Sequence, residues 1–548
     1  MQTRARSGTE TGHIDTFAAD HLPPREFWPI LDFTGIPELA YPPRLNCAVE
    51  LLDRNVASGL GHRPALRFPD GIWTYAELLA HANRIARVLV EDLGVVPGNR
   101  VLLRGPNHPL LAATWFAVLK AGAICVTTMP LLRPRELTAI CDKARVSLAL
   151  TDTRFDDDIE RTAASSEFLK HVIHFNTRDT GSLDALAADK PPTFDAVDTA
   201  ADDVAIIAFT SGTTGTPKGT LHVHRDILAI CDCFPKYVLR PTAGDVFCGS
   251  PPFAFTFGLG GLLLFPMRAG ASTLLIEDAS PPRLIEAIAE YGATVSFTAP
   301  TAYRAMASKC SDFDLRSLRK CVSAGETLPE ATFSMWERAT GIRIIDGIGA
   351  TELLHIFISS PESEARPGST GRVVPGYRAR ILDPDGNDVE PGEIGRLAVV
   401  GPTGCRYLDD IERQRGYVQS GWNLTGDAYT MDDAGYFWYK ARTDDMIISS
   451  GYNIAGPEVE NVLLEHPAVH ECGVIGLPDE QRGQIVTAFV VLHASHQRND
   501  VMVKMLQDHV KQSIAPYKYP RRVVFLDRLP RTDTGKLQRF RLREEYSQ

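Results

Sequence analysis

The sequence predicts an α/β protein with a large N-terminal domain of mostly parallel sheets flanked by helices, a smaller β-rich subdomain, and a small α+β domain at the C-terminal end. Three observations support this prediction. Short apolar runs alternate with stretches of helical periodicity over most of the chain, which favours parallel strands joined by helices. Glycine and proline become frequent around residues 369–400, where antiparallel strands and turns are expected. After residue 444 the pattern is that of a compact α+β unit.

Individual segments support each part of this architecture. Residues 66–68 and 71–74 are typical of a hairpin, and residues 75–92 of an amphipathic helix. The expected strands of the large domain lie at residues 100–104, 124–128, 148–151, 204–209, 272–276, 293–297, 320–323 and 342–345. In the last part of the chain we expect helices and strands at residues 457–465 (helix), 470–475 and 486–492 (strands), 501–514 (helix) and 522–525 (strand).

Length and composition exclude several classes of protein. A chain of 548 residues is too long for one hydrophobic core, so at least two domains are expected. The net charge of −11 argues against a nucleic-acid-binding surface. No run reaches the roughly 18 apolar residues of a membrane span, and no apolar segment of the secretory type follows the N-terminal arginines. The ten cysteines form no C-x-x-C pair, which favours reduced thiols in the cytoplasm over a zinc site or disulfides.

The most informative stretch is FTSGTTGTPKG at residues 209–219. It follows a short apolar run expected to be a buried strand, and residues 221–233 after it are predicted as a helix. Glycines let the backbone approach a ligand closely, while hydroxyls and amide N–H groups can bind anionic oxygens. The composition alone would fit a surface turn, and the spacing is not that of a Walker A loop. The residues expected to bind phosphate are Thr210, Ser211, Gly212, Thr213, Thr214 and Lys218.

Further segments carry groups that suit a nucleotide and an acid. In DGIGATELLHIFIS at residues 346–359, the Thr351 hydroxyl can hold a phosphate oxygen and the Glu352 carboxylate can recruit Mg²⁺. A helix cap followed by a solvated acid is the alternative. Asp427 could accept both hydroxyls of a ribose, although T-G-D by itself is a common turn. His355 follows Glu352 by three residues, and a lone histidine is more often structural.

These segments, in this order, resemble the ATP-dependent adenylate-forming enzymes, which include acyl-CoA synthetases, the adenylation domains of nonribosomal peptide synthetases and firefly luciferase. The resemblance extends from about residue 27 to residue 543 and includes SAGETLP at 323–329, YKARTDDMI at 439–447 and PRTDTGKLQR at 530–539. It implies ATP, Mg²⁺ and a thiol acceptor, usually coenzyme A. The resemblance makes Lys536 the catalytic lysine, whose ammonium would meet negative charge on the carboxylate and the α-phosphate.

The resemblance also assigns the remaining roles. Thr351 and Glu352 would act beside Lys536, with Glu352 as the Mg²⁺ ligand. The nucleotide and CoA would contact Gly325, Glu326, Asp346, Gly347, Ile348, Asp427, Tyr439, Arg442 and Gly451. Ile348 departs from the family, because many relatives stack an aromatic ring on adenine there. Asp444 would be the hinge between an adenylation domain at residues 1–443 and a mobile lid domain at 444–548 that carries the lysine.

The acyl pocket resembles that of the aryl-CoA ligase branch. PPFAFTFGLGG at residues 251–261 and ATELLHIF at 350–357 look like the pocket segments of benzoate and 2-aminobenzoate ligases, as do FAADHLPPREFWP and LNCAVELLD near the N-terminus. The residues expected at the acid are Thr256, Phe257, Gly349 and His355. The resemblance favours 2-aminobenzoate, and benzoate and salicylate stay open.

Two other functions stay open at the level of sequence. The first is a stand-alone adenylation enzyme that loads an aryl acid onto a carrier-protein thiol. The second is a catalytically silent nucleotide-binding regulator, against which the presence of Lys536, Thr351 and Glu352 argues. No nucleic-acid or membrane partner is expected, and nothing in the sequence decides whether the chain forms a homodimer.

Overall fold

The computed structural model describes residues 10–210, 217–443, 445–449, 452–479, 482–532 and 535–547. Several site predictions concern residues outside these ranges, namely Ser211, Gly212, Thr213, Thr214, Asp444 and Gly451.

Fifteen strands form the two sheets of the large N-terminal part. In chain order they are β1 Pro64–Phe68, β2 Gly71–Thr74, β3 Arg100–Arg104, β4 Ile124–Thr128, β5 Leu148–Asp152, β6 His171–Phe175, β7 Val204–Thr210, β8 Lys218–Val223, β9 Val246–Gly249, β10 Ser272–Leu274, β11 Val295–Thr298, β12 Lys320–Ser323, β13 Ile344–Gly349, β14 Ile356–Ser359 and β15 Arg372–Val373. One sheet has the order β6-β5-β3-β4-β7-β8, and the other has the order β15-β14-β13-β12-β11-β9-β10-β1-β2. The inner pairs are parallel, while β1–β2, β7–β8, β13–β14 and β14–β15 are antiparallel.

Sixteen α-helices accompany the strands in the described part of the chain. They are α1 Phe17–Asp20, α2 Tyr75–Arg87, α3 Pro109–Lys120, α4 Pro134–Ala144, α5 Asp156–Ser165, α6 Leu183–Ala188, α7 His224–Asp232, α8 Thr256–Leu259, α9 Phe265–Ala269, α10 Pro281–Tyr291, α11 Pro300–Ala307, α12 Glu330–Thr340, α13 Ile411–Tyr417, α14 Gly456–Glu465, α15 Asp500–Ser513 and α16 Arg539–Tyr546. The largest hydrophobic core contains residues of both large sheets and of α2, α3 and α7, so these sheets share one interior. This arrangement confirms the predicted parallel-sheet domain.

The β-rich subdomain is an antiparallel sheet of five strands. They are β16 Arg378–Leu382, β17 Gly395–Val400, β18 Val418–Gln419, β19 Trp422–Met431 and β20 Phe437–Arg442. The pairing of β19 with β20 sets Asp427 opposite Arg442. These two residues, both predicted to contact the nucleotide and fifteen apart in sequence, therefore face each other on neighbouring strands.

The C-terminal part is an α+β unit, as predicted. Its strands are β21 Ile447–Ser449, β22 Tyr452–Ile454, β23 Val469–Asp479, β24 Gly483–Leu492 and β25 Arg522–Phe525. The sheet order is β22-β21-β24-β23, with β25 pairing to β24 in parallel. Helices α14 and α15 cover one face through a separate apolar core that includes Val459, Leu463 and Leu506.

The helix predicted at residues 221–233 is wrong at its start. Residues 221–223 belong to strand β8 and not to a helix, because Gly219 to Val223 continue the antiparallel ladder with β7. The helix begins only at His224, where the carboxylate of Asp226 accepts the Val223 N–H at 3.0 Å and ends the strand. Residues 256–269, which overlap the predicted pocket segment at 251–261, are helical throughout, so Gly258, Gly260 and Gly261 lie on helical turns.

All ten cysteines are free thiols, nine of them buried and Cys472 half-buried. Burial raises the pKa of every one of them. Of the helices in the described part of the chain, none is long and apolar enough to cross a membrane.

Candidate active site

The predicted phosphate loop spans the end of a hairpin. Strands β7 and β8 pair from Val204 opposite Val223 to Thr210 opposite Lys218. Thr210 and Lys218 are thus held across from each other by a ladder, on either side of residues 211–216. An isolated bridge between Thr220 and Tyr407 ties this hairpin to the segment that precedes α13. This ladder fixes the backbone of Thr210 and Lys218 at the two ends of the predicted loop.

A strained turn presents Thr351, Glu352 and His355 together. Leu354 has φ +70°, in the left-handed region that a bulky side chain rarely adopts. The turn is held from outside, because the carbonyl of Thr351 accepts a hydrogen bond from His222 Nε2 at 2.8 Å. The carbonyl of Leu353 accepts one from the Thr403 hydroxyl at 2.7 Å. The surrounding structure therefore fixes a backbone that would otherwise relax.

A tyrosine orients the carboxylate of Glu352. The Tyr407 hydroxyl donates to Glu352 Oε1 at 2.6 Å. Below this pair, Arg406 is ion-paired with Asp226, and both side chains are fully buried. Asp226 also lies 3.7 Å from His222 Nδ1. The Thr351–Glu352 turn is thus supported by a buried network of side chains. The residues of this network are distant in sequence from Thr351 and Glu352.

The donor set around Glu352 fits Mg²⁺. The ion usually binds through one or two carboxylates together with substrate phosphates and water, not in an all-protein cage. In the ranges that the structure describes, no cluster of three or more potential ligands from His, Cys, Asp and Glu occurs. A single oriented carboxylate next to a phosphate loop is what such a shared site requires.

His355 forms the floor of an aromatic slot. It is only 2% exposed, and the ring of Phe265 stands edge-on to it at 4.5 Å between centroids. The rings of Phe257 and Phe234 lie at 5.8 and 5.9 Å. Burial lowers the pKa of His355 to about 3, partly offset by the Phe257 backbone, so the imidazole is neutral at physiological pH. Within the described chain, neither ring nitrogen has a hydrogen-bond partner of good geometry.

Glycines give this slot its shape. A Cβ on Gly260 would lie 2.4 Å from His355 Cδ2, and one on Gly261 would lie 2.4 Å from Phe297 Cδ1. A Cβ on Gly349 would lie 2.8 Å from the His355 carbonyl oxygen. Side chains at these three positions would collide with the walls, so the glycines allow the rings to approach closely.

The loop that leads into the slot is anchored by Asn107. Its side-chain amide donates to the Pro251 carbonyl at 3.0 Å, and its Oδ1 accepts the Phe253 N–H at 2.9 Å. Thr256 and Phe257 then open α8 and are half-buried. The structure therefore places Phe257 beside His355 in one aromatic cluster, with Thr256 at the start of the same helix.

The predicted adenine side lies on β13. Ile348 is half-buried and packs on the large core, opposite Ile358 of β14. A Cβ on Gly347 would lie 2.8 Å from Ile356. Burial raises the pKa of Asp346 to about 8, opposed by hydrogen bonding from the Gly347 backbone and Ser323. A carboxyl group in that state is largely protonated at neutral pH and could donate a hydrogen bond.

The predicted ribose contacts lie on β19 and β20. Arg442 Nη1 lies 3.1 Å from Asp427 Oδ1 and donates to the Thr425 carbonyl at 3.0 Å. Gly426 has φ +78°, and a Cβ there would lie 2.5 Å from Arg442 Nη2. Tyr439 is half-buried, with its ring edge-on to that of Tyr429. This corner fixes one carboxylate and one guanidinium side by side.

Lys536 enters the same cleft from the C-terminal part. Its Cε lies 3.7 Å from the position that a Cβ on Gly325 would occupy, and Gly325 has φ +89°. The side chain stays exposed in an open cleft. Desolvation by the protein around it nevertheless lowers the pKa of Lys536, while Glu326 and Asp427 act to raise it. Arg442 and Glu352 have smaller effects of opposite sign, so Lys536 lies near four charged residues of the predicted site.

The loop that carries Lys536 is closed by local hydrogen bonds. The Thr532 hydroxyl accepts the Lys536 N–H at 3.0 Å, and the Thr532 N–H donates to the Lys536 carbonyl at 2.8 Å. Arg531 Nη1 donates to the Gly535 carbonyl at 2.6 Å. The lysine is therefore carried on a short turn and not on a flexible tail.

Several residues at the site were not predicted from the sequence. They are Asn107, His222, Asp226, Phe234, Phe265, Phe297, Arg406, Tyr407 and Arg531. Phe297 could have been found, because it ends a predicted strand whose carboxyl end meets the same sheet edge as the other site segments. Tyr407 and Arg406 carried no such signal, since 55 residues separate Tyr407 from Glu352.

This fold and this site define an enzyme that activates a carboxylic acid with a nucleotide. The profile of AMP-binding enzymes matches residues 52–406, and that of the AMP-binding enzyme C-terminal domain matches residues 458–536. The chain is 34% identical to the benzoate–CoA ligase of Thauera aromatica over 92% of this chain and 97% of that protein. It is 33% identical to the 4-hydroxybenzoate–CoA/benzoate–CoA ligase of Rhodopseudomonas palustris over 91% and 94% of the two chains.

Two solved structures of aryl-CoA ligases have the same fold as this chain. The anthranilate CoA ligase AuaEII, crystallised with anthranoyl-AMP, superposes with a TM-score of 0.89 at 35% identity, covering 93% of this chain and 99% of that one. A benzoate CoA ligase from Burkholderia xenovorans LB400 gives 0.84 at 31% identity, over 91% and 100% of the two chains. The chain belongs to the AMP-binding enzyme family, in its aryl-CoA ligase branch, and is an ATP-dependent, AMP-forming ligase. ATP, Mg²⁺ and CoA are the reactants and the metal of this activity.

Proposed function

We propose that the enzyme converts 2-aminobenzoate to its CoA thioester through an aryl-AMP intermediate, with benzoate and salicylate as the neighbouring candidates. The observation that carries this choice is the floor of the slot. His355 is neutral, its two ring nitrogens lack partners of good geometry among the described residues, and aromatic rings surround it. An apolar slot with one polar group selects a planar ring that carries one hydrogen-bonding substituent.

The relatives support the same substrate class. The benzoate and hydroxybenzoate ligases and the anthranilate ligase all act on small aryl acids, and anthranilate is 2-aminobenzoate. The N–H of an ortho amino group can donate to the unprotonated ring nitrogen of a neutral imidazole. His355 could therefore accept a hydrogen bond from 2-aminobenzoate, whereas benzoate would leave both ring nitrogens unpaired.

In the first step a carboxylate oxygen of the acid attacks the α-phosphorus of ATP. A new P–O bond forms, the bond between the α-phosphorus and the bridging oxygen breaks, and pyrophosphate leaves. Lys536 would stabilise the charge shared by the carboxylate and α-phosphate, and Thr351 and Lys218 would hold phosphate oxygens. Mg²⁺ bound by Glu352 would neutralise phosphate charge.

In the second step the CoA thiol attacks the acyl carbon of the aryl-AMP. A C–S bond forms, the C–O bond to phosphate breaks, AMP leaves and the thiol proton is released. We propose that residues 444–548 rotate about Asp444 between the two steps, which would move Lys536 out and bring Gly451 beside the thiol. Asp444→Pro should then spare aryl-AMP formation and impair thioester formation, because proline restricts φ. Equal loss of both steps would contradict a hinge at this residue.

The test is acid-dependent pyrophosphate release with Mg-ATP, run with and without CoA. The acids are 2-aminobenzoate, benzoate, salicylate, octanoate and phenylalanine. Preference for 2-aminobenzoate with CoA-dependent turnover supports the proposal. Release with an aryl acid but no thioester would favour a carrier-protein acceptor, and preference for octanoate or phenylalanine would refute the aryl slot.

One variant distinguishes recognition of the ring substituent from recognition of the aromatic ring itself. His355→Phe keeps the apolar wall but removes both ring nitrogens. We expect kcat/KM for 2-aminobenzoate to fall roughly fivefold more than that for benzoate, since a lost hydrogen bond to a neutral group is of order 1 kcal/mol. An equal effect on both acids would mean that His355 shapes the slot but makes no hydrogen bond to the substituent.

A further inference from the structure

The seam between the C-terminal unit and the large domain contains a chain of alternating charges. Arg531 Nη2 donates to Glu471 Oε2 at 2.9 Å, within the C-terminal unit. Arg531 Nη1 lies 3.4 Å from Glu326 Oε1 of the large domain. Glu471, Arg531 and Glu326 therefore alternate in sign across the seam. Arg304 of α11, which also belongs to the large domain, is near enough for the charge of Glu471 to act to raise its pKa against the effect of burial.

Glu326 is the member that most needs this arrangement. Its side chain is only 14% exposed, and burial raises the pKa of its carboxyl group. Arg531 and Lys536 oppose that rise, as does hydrogen bonding from Thr301. A carboxylate buried this far is costly unless it is paired. Both cations come from the C-terminal unit, so Glu326 keeps its positively charged partners only while the Lys536 loop is in the cleft.

Arg531 also shapes the loop itself. The same Nη1 that faces Glu326 donates to the Gly535 carbonyl, the residue before Lys536. A planar guanidinium can make several such bonds at once, which a lysine at this position could not reproduce. Movement of Arg531 would therefore be transmitted directly to the backbone of the lysine.

We propose that Arg531 is a positioning residue for aryl-AMP formation: by pairing with Glu326 and Glu471 and holding the Gly535 carbonyl, it fixes Lys536 in the cleft during the first step only. This inference rests on the proposed two-step function. It assigns Glu326 a role beyond the adenine edge, as the acceptor that recognises the lysine loop in its adenylating position. Arg531 does not touch the reacting atoms in this scheme and acts through Lys536.

The experiment measures the two half-reactions separately in the full-length enzyme. ATP–pyrophosphate exchange reports aryl-AMP formation, and thioester release from supplied aryl-AMP and CoA reports the second step. For Arg531→Gln we expect exchange to fall roughly tenfold or more through kcat, because a charged hydrogen-bond network is lost, with the second step within twofold of wild type. Arg531→Lys should recover part of the exchange rate. Arg498→Gln is the matched control, since Arg498 pairs with exposed Asp527 at 2.6 Å in the same unit.

A double-mutant cycle identifies the partner. If Glu326 is the acceptor, Arg531→Gln should lower exchange much less in a Glu326→Gln background than in the wild type. Additive effects would overturn the proposed pair. Equal losses in both half-reactions, or no loss in either, would overturn the positioning role. If the wild type itself makes no aryl-AMP from any acid tested, the proposed function fails instead, before any variant is compared.

Discussion

Replacing Gly260 with alanine would test how tightly the aryl slot is built. The added Cβ would lie 2.4 Å from His355 Cδ2, 2.6 Å from His355 Nε2 and 3.0 Å from Phe265 Cζ. Real Cβ atoms do not approach other atoms so closely, so something must move. His355 has little room behind it, because the ring of Phe234 also packs against it.

Overpacking of this kind costs about 1–3 kcal/mol. Displacement of the His355 or Phe265 ring would narrow the slot, so part of this free-energy cost would appear as weaker binding of the acid. We expect kcat/KM for the aryl acid to fall roughly fivefold to a hundredfold, since 1.4 kcal/mol is a factor of ten. The KM for ATP should change little, because the contacts of Gly260 are with the slot and not with the nucleotide side.

The assay is steady-state thioester formation at varied acid and at varied ATP, with thermal unfolding in parallel. Gly416→Ala is the matched control: Gly416 lies in α13, and a Cβ there would meet nothing within 4 Å. Both variants gain the helix preference of alanine over glycine, about 0.5–1 kcal/mol, but only one gains a collision. Wild-type kcat/KM and stability in Gly260→Ala would refute the described packing of His355.

Three further predictions follow from the site. Lys536→Ala should lower aryl-AMP formation by orders of magnitude, measured by pyrophosphate exchange, while ATP still binds by calorimetry, because the lysine acts on charge that develops in the transition state. Tyr407→Phe should raise the Mg²⁺ concentration needed for half-maximal exchange severalfold, because Glu352 loses its 2.6 Å orienting bond. The third concerns pH: the pKa of buried His355 is about 3 in the folded state, so between pH 6.5 and 3 only the unfolded chain gains this proton. Stability should therefore fall as pH falls, and His355→Phe should remove about 1.4 kcal/mol of the loss that occurs between pH 7.5 and 5.5, measured by unfolding at these two pH values.

Each of these has a contrary outcome. Unchanged exchange in Lys536→Ala would remove the lysine from the first step. Weakened ATP binding with unaltered Mg²⁺ dependence in Tyr407→Phe would mean that the tyrosine supports the nucleotide and not the metal ligand. An identical acid sensitivity of wild type and His355→Phe would show that other buried groups, such as His224 with a pKa of about 3, dominate the pH response.

The strands were predictable where a short apolar run is buried on both faces. Arg100–Arg104, Ile124–Thr128 and Lys320–Ser323 agree with their predictions to the residue. Strand β8 was missed because its GTLHV run is short, carries a histidine and leads directly into a helix. Its conformation depends on pairing with β7 across the phosphate loop, which is a tertiary effect that local pattern does not contain.

The candidate site also contains residues that local sequence predicts and residues that only the folded chain brings together. Thr351, Glu352 and His355 lie within five residues of one another, so a single motif brings them into view. Their supports, His222 and Tyr407, come from distant segments and meet the motif only in the folded chain. The strained backbone at Leu354 could not be predicted either, because nothing in the sequence indicates a positive φ at a leucine.

The burial of the cysteines has a consequence for the chemistry. A mixed acyl-phosphate anhydride transfers its acyl group to any accessible thiolate, so an enzyme that makes one in order to acylate a thiol risks acylating itself. Here every thiol is buried or half-buried, and its raised pKa keeps it protonated and a poor nucleophile. The incoming acceptor is therefore the one reactive sulfur that the described part of the protein allows near the intermediate. Selectivity for the acceptor thiol therefore depends in part on the low reactivity of the protein's own cysteines.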